Sequence, residues 1–188
     1  MATRKIDVKA AGSLGWWKRI ALLLVMAAAV LAPARSLAFW NVAVGDRIKD
    51  RDLATYDGAR QPLFGHAQVT VFVLFRPNHD FSLQTLRDVA RLQSTSPRSV
   101  RFVALASSTH APAAVRAILT QAGLRATVLV DQRDSFAEEL GTDVRPVVAI
   151  VDEGHRLATY QPYLSVNMHD TLRAELRRLL DRGALAQR

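Results

Sequence analysis

The stretch VTVFVLFRPNHDFS, residues 69–82, decides the fold. Its first seven residues are apolar except for Thr70, which is typical of a strand buried on both faces of a sheet covered by helices. The chain then passes through the loop RPNHD, residues 76–80, and enters an amphipathic pattern near Phe81. Ligands in α/β proteins bind beyond the carboxyl ends of such strands, so we expect any functional site at this loop.

Strands and helices alternate on both sides of that stretch. A hairpin around Asp57-Gly58, with strands near 52–56 and 59–63, precedes it. Apolar runs predict later strands at 100–107, 126–130, 147–151 and 157–160, and residues three or four apart predict helices at 81–94, 108–122, 134–140 and 168–181. This order implies an α/β fold with a mainly parallel sheet, which the closing hairpin makes mixed.

Capping residues stand near the ends of the predicted helices. Asp80 or Ser82 suits the start of the first helix, a hydroxyl at 108–109 followed by Pro112 suits the second, and Asn167 suits the last. Glycines at 123, 141 and 183 predict where the second, third and last helices end.

Composition excludes several functional classes. Hydrophobic residues make up 49% of the 188 residues, enough for the core of one domain plus an extension. The sequence has no cysteine, which excludes a disulfide, a thiolate nucleophile and a cysteine metal site. The net charge is +8, but once residues 1–38 are set aside, residues 39–188 carry only +3. That mild excess, without a basic stripe, predicts no nucleic-acid partner.

Residues 1–38 have the pattern of an export signal. A basic start is followed by the uncharged apolar run 20–34, and Ser36 and Ala38 suit a cut before Phe39. The alternative is an uncleaved inner-membrane tether through residues 20–34, with Trp16-Trp17 at the interface. We favour the cleaved signal because a spanning helix needs about 20 apolar residues. Both interpretations place residues 39–188 in the periplasm.

Three further segments carry a family resemblance. They are VGD at 44–46 before the hairpin LATYDG, the strand VFVLF at 71–75, and GTDVRPVVAIVDEGHRL at 141–157. Together they resemble the thioredoxin fold, in its redoxin/peroxiredoxin branch, over about residues 42–182. The resemblance implies that residues 39–188 form one thioredoxin-like three-layer sandwich, with helices on both faces of a mixed sheet. It also implies a cis Arg145–Pro146 bond opposite the loop at 76–80.

The sequence departs from this family where its chemistry should lie. The family's Cys-x-x-Cys positions fall on His79 and Ser82, and a peroxidatic cysteine is equally absent. Thiol–disulfide exchange requires a thiolate that attacks a disulfide, which neither imidazole nor hydroxyl provides. We therefore predict a degenerate active-site loop, formed by Arg76, His79, Asp80 and Ser82, with no catalytic residue and no cofactor.

The loop also carries residue types used in two other chemistries, hydrolysis and metal binding. His79 and Ser82 resemble a base–nucleophile pair, but the adjacent Asp80 does not share a helix face with His79 and no Gly-x-Ser-x-Gly elbow is present. His79, His110 and Asp80 offer a possible metal set. None of the five histidines forms the i, i+4 pair of a helical zinc motif, so separate loop histidines are favoured and no metal site is predicted.

Recognition remains the expected use of the site. Proteins of this fold hold extended polypeptide beside the cis-proline by strand addition, so Phe81, Arg145 and Pro146 are expected to form a groove. Arg76 and His79 lie across from it, and these residue types suit an acidic partner. For Arg145 alone, a solvated surface charge is an equal alternative. Tyr160, Pro162 and Tyr163 form either a second contact patch or an edge of the core.

These observations predict an exported, redox-inactive thioredoxin-like domain that acts as a protein-binding or assembly module in the bacterial envelope. Its partner is expected to be an envelope protein or peptide. The alternative is a redoxin-class oxidoreductase or antioxidant enzyme that works without its own cysteine, assisted by a metal at His79.

Overall fold

The computed structural model describes residues 39–163 and 165–186. The predicted export signal or tether at 1–38 lies outside the described residues. Within the two described ranges, no helix is both long and apolar enough to cross a membrane.

Strands and helices alternate along the described chain in the predicted order. They are β1 (Asp52–Ala54), β2 (Arg60–Pro62), β3 (Val69–Phe75), α1 (Ser82–Ser94), β4 (Val100–Ser107), α2 (Pro112–Ala122), β5 (Thr127–Asp131), a short 3-10 turn (Gln132–Asp134), α3 (Ser135–Leu140), β6 (Val147–Asp152), β7 (Leu157–Pro162) and α4 (Met168–Ala186).

The strands form one mixed sheet in the order β2-β1-β5-β4-β3-β6-β7. Strand β3 pairs in parallel with β4 and antiparallel with β6, and all seven of its residues are buried. Strands β4 and β5 are parallel, whereas β1–β2 and β6–β7 are antiparallel hairpins. The prediction of a buried inner strand within a mixed α/β sheet is confirmed.

The core has two layers because side chains alternate across β3. Val71 and Val73 point to a cluster that holds the buried residues of α1, α2 and α4. Phe72 and Leu74 point to a second cluster, which contains the buried residues of α3 and also Phe39. Helices therefore cover both faces of the sheet, as a three-layer sandwich requires.

The predicted side-chain caps of the first two helices are wrong. Phe81 occupies the N-cap position of α1 and makes no side-chain cap, while Ser82 is already helical and buried. A backbone turn closes the entry to α1 instead, since the Ser82 N–H donates to the His79 carbonyl at 2.9 Å. Helix α2 begins at Pro112, four residues after the predicted start at 108; Ala111 precedes it and no hydroxyl caps it.

Two of the three predicted glycine ends are confirmed. Gly123 and Gly141 adopt the left-handed conformation after α2 and α3, with φ of 72° and 67°. Helix α4 instead continues through Gly183 to Ala186. The carbonyl of Gly141 also accepts a hydrogen bond from the Trp40 N–H at 3.0 Å, which fixes the start of the described chain against the end of α3.

Candidate functional site

Three aromatic rings meet where the chain leaves β3. The ring of Tyr163, just after β7, lies 4.8 Å from Phe81 in a stacked arrangement and 5.1 Å from His79. Phe81 is 49% exposed, so an apolar face remains open to solvent. A hollow of about 380 Å³ adjoins these rings between α1 and the start of α4, with Gln84 and Asp170 among its lining residues. The site therefore offers an aromatic shelf beside a concave, mostly polar surface.

Pro146 belongs to the same site. The Arg145–Pro146 peptide bond is cis, as the resemblance implied. The carbonyl of Pro146 accepts a hydrogen bond from the Tyr163 N–H at 3.1 Å, and Tyr163 in turn contacts His79. The structure thus brings the loop after β3 and the turn before β6 together through Tyr163. Sequence reasoning placed Tyr163 in a separate patch and missed this role.

The pair His79 and Ser82 has no nucleophilic geometry. Ser82 is fully buried, and its Oγ has no hydrogen-bond partner among the described residues. His79 Nδ1 accepts a long hydrogen bond, 3.4 Å, from the Phe81 N–H rather than from a hydroxyl. Asp80 is exposed beside them. A serine that no substrate reaches cannot attack one, which argues against hydrolysis at this loop.

Arg145 is not the solvated surface charge that was one alternative for it. Its side chain is only 6% exposed, and Nη2 donates to Asp134 Oδ1 at 3.1 Å. Burial lowers the pKa of Arg145, and the nearby Asp134 opposes that shift. The guanidinium of Arg145 is therefore shielded from solvent, whereas Arg76, in the loop after β3, is exposed.

His110 joins this charged cluster. Burial lowers its pKa, Arg76 and Arg145 lower it further, and Asp134 acts in the opposite direction. Its Nε2 is buried without a hydrogen-bond partner in the described chain. Neither His110 nor Asp134 was predicted to surround Arg145. The available signal was position, since His110 and Asp134 each stand three residues beyond the carboxyl end of a parallel strand.

His79, His110 and Asp80 do not form a group of metal ligands in the described part of the chain. His79 packs against aromatic rings, whereas His110 lies among arginines that repel a cation. Residues 39–163 and 165–186 contain no group of three or more potential metal ligands.

The second predicted patch is divided. Tyr160 packs on Phe39, with ring centroids 4.5 Å apart, at the edge of the second core cluster. Tyr163 belongs to the site described above. Core-edge packing is therefore the correct interpretation for Tyr160 alone.

Comparisons with known proteins give a fold and no closer relative. No family model matches the chain, and no curated protein matches it. Several solved structures are similar. A secreted disulfide oxidoreductase of Mycobacterium tuberculosis is 16% identical with a TM-score of 0.58, over 68% of this chain and 95% of that one. A proposed thiol:disulfide interchange protein DsbE from Chlorobium tepidum is 15% identical with a TM-score of 0.65, over 74% and 99%. StoA from Bacillus subtilis is 12% identical with a TM-score of 0.55, over 68% and 96%.

At these identities the likeness establishes architecture and not chemistry. The matched structures are covered almost completely, so the similarity extends over a whole domain rather than a shared motif. The mixed sheet, the helices on both of its faces and the matched structures lead to one conclusion: this chain has the thioredoxin-like fold.

Proposed function

We propose that this protein binds extended polypeptide at Pro146 without thiol chemistry, as a binding or assembly module of the bacterial envelope. One observation carries the proposal. The surface around Pro146, Phe81 and Tyr163 is fully formed, while the two positions where the family carries its cysteines hold His79 and a buried Ser82. This combination of an exposed aromatic surface with no thiol beside it supports binding rather than thiol–disulfide exchange.

The geometry suits a bound strand. Pro146 has no N–H and its carbonyl already accepts a hydrogen bond from Tyr163, so a polypeptide that passes it can pair with the backbone of the preceding Arg145. Such pairing supplies affinity without dependence on sequence. The exposed ring of Phe81 and the hollow beside it can accept a side chain of that strand. Aromatic residues at the centre of an interface commonly contribute most of its binding energy.

Export supports the envelope assignment. Residues 1–38 have the basic, apolar and small-residue order of a secretory leader. One of the similar structures is described as a secreted protein. The periplasm is oxidising, but this sequence contains no cysteine and therefore forms no disulfide there.

A redox assay tests the chemical half of the proposal. The purified protein should not accelerate reduction of insulin by dithiothreitol and should not consume hydrogen peroxide. A rate above the buffer blank in either assay would show chemistry that the side chains of this site do not explain.

A titration tests the binding half. Adding a library of short synthetic peptides to isotope-labelled protein should shift the amide signals of Phe81 and Tyr163. Phe81→Ala should weaken binding about tenfold, the typical effect of losing one central aromatic anchor. Val44→Ala is the matched control, since it shortens another exposed apolar side chain. Val44 precedes Gly45, which bonds to Leu157 at the opposite end of the β6–β7 hairpin from Pro146. Equal losses in the two variants, or shifts confined to other surfaces, would remove this groove from consideration.

A further inference from the structure

Arg145 is a largely buried cation with one hydrogen-bond partner among the described residues. Its side chain is 94% shielded from solvent, yet the described residues give it one hydrogen bond, from Nη2 to Asp134 Oδ1. A guanidinium carries five N–H donors. The other Arg145 nitrogens are not among the buried side-chain atoms that lack a partner in the described chain, so they reach the surface, where they can receive oxygen acceptors.

Asp134 is a poorly placed partner for this cation. It offers a single oxygen at 3.1 Å, whereas carboxylates commonly bind arginine through two parallel hydrogen bonds. Its own side chain is 37% exposed. Asp134 and the preceding Arg133 both have left-handed backbone conformations, with φ of 58° and 55°, which Asp adopts more readily than Arg.

Other groups around Arg145 complete the site. His110 Nε2 is buried without a partner, and Arg76 adds a second positive charge. Asp131 is a buried carboxylate nearby, but its oxygens already accept the N–H groups at the start of α3 at 2.9 and 3.1 Å. Asp143 is exposed to solvent. Asp134 is thus the one carboxylate that the described structure places on the Arg145 guanidinium.

We propose that Asp134 holds the place of a carboxylate supplied by an acidic polypeptide segment, which binds Arg145 in its stead with Arg76 and His110 around it. This inference rests on the proposed polypeptide-binding function and names the class of partner. Arg145 directly precedes Pro146, so a strand that pairs at Pro146 carries its side chains past the guanidinium. Displacement frees Asp134 to turn into solvent and lets the incoming carboxylate bind through two oxygens.

The test compares two matched peptide libraries on the full-length protein. They are identical except that Glu and Asp in the first are Gln and Asn in the second. Affinities are measured by fluorescence anisotropy at fixed salt, because charge-dependent binding varies with ionic strength. The acidic library should bind about tenfold more tightly, since a hydrogen bond to a charged group is worth more than one to a neutral amide.

Two variants separate the roles of the charges. Asp134→Asn keeps an acceptor oxygen near Arg145 but removes the competing charge, and it should increase the preference for the acidic library several-fold. Arg145→Lys keeps the charge but loses the planar fork, and it should reduce that preference. Because the wild-type comparison needs no variant, it stands even if a variant fails to fold.

Each outcome bears on a different claim. Equal binding of the two libraries, with signals still shifting at Phe81, would overturn the acidic partner and leave the polypeptide groove intact. A reduced acidic preference in Asp134→Asn would also overturn it, because Asp134 would then orient Arg145 rather than occupy its site. Failure of both libraries to bind would end the polypeptide-binding proposal, and this inference with it.

Discussion

Removing the hydroxyl of Ser82 should stabilise the protein. Ser82 is completely buried at the first helical position of α1, and its Oγ has no hydrogen-bond partner in the described chain. Burying a hydroxyl without a hydrogen bond costs about 1–3 kcal/mol in proteins. Ser82→Ala removes that group and keeps Cβ, so the backbone entry to the helix is unchanged.

The void left behind is a small opposing effect. An oxygen-sized space of about 10–15 Å³, at about 24 cal/mol per Å³ of cavity, costs roughly 0.3 kcal/mol. The free energy of unfolding should therefore rise by roughly 1–2 kcal/mol. Urea unfolding followed by tryptophan fluorescence measures this as a shift of the midpoint at constant slope.

Ser107→Ala is the matched control for this experiment. Ser107 is also buried, 5% exposed, but its Oγ accepts a hydrogen bond from Thr109 Oγ1 at 3.0 Å. The same substitution should here lower the free energy of unfolding by about 1 kcal/mol. If Ser82→Ala were destabilising to a similar degree, the Ser82 hydroxyl would have a partner in solution and the reasoning from an unpaired group would fail.

Three further measurements test other contacts. Gly141→Ala should lower the unfolding free energy by more than about 1 kcal/mol, because φ is +67° and a Cβ would lie 2.6 Å from Trp40 Cδ1. Gly58→Ala is the control, since Gly58 has a positive φ but open space around it and should show the backbone cost alone. Equal urea midpoints of the two variants would contradict the clash with Trp40. Asp131→Ala should lower the unfolding free energy by about 2 kcal/mol in chemical denaturation, since it leaves two N–H groups of α3 unpaired. Asp131→Asn keeps one acceptor oxygen and should lose less; equal losses in the two variants would refute the capping role. Burial depresses the pKa of His110 in the folded protein, so the stability contributed by neutral His110 is present above the ordinary histidine pKa of about 6.5 and is lost as pH falls toward the folded value. Between pH 7.5 and 5, the denaturation midpoint should therefore fall less in His110→Gln than in the wild type. Parallel pH profiles of the two proteins would exclude this linkage.

Local sequence patterns predicted the architecture well because strand and helix periods depend on near neighbours. The buried run at 69–75 and the alternation of later strands and helices are enough to predict the mixed sheet that the structure contains. Helix starts were predicted less well. The residues that suited caps at Asp80 and Ser82 were overridden by a backbone turn and by burial of Ser82 against the core.

By itself the sequence determined two things about this protein: the order of its elements, which follows from hydrophobic periodicity, and that its 188 residues supply no thiol, because none of them is cysteine. Only the tertiary structure decided that Arg145 is buried against Asp134, that Tyr163 stacks on Phe81, and that the Ser82 hydroxyl has no partner among residues 39–163 and 165–186. Tyr163 and Phe81 are 82 residues apart along the chain. The physical reason is range, because periodicity reports which face of an element is buried, whereas pairing between distant side chains depends on how the assembled sheet and helices bring their ends together.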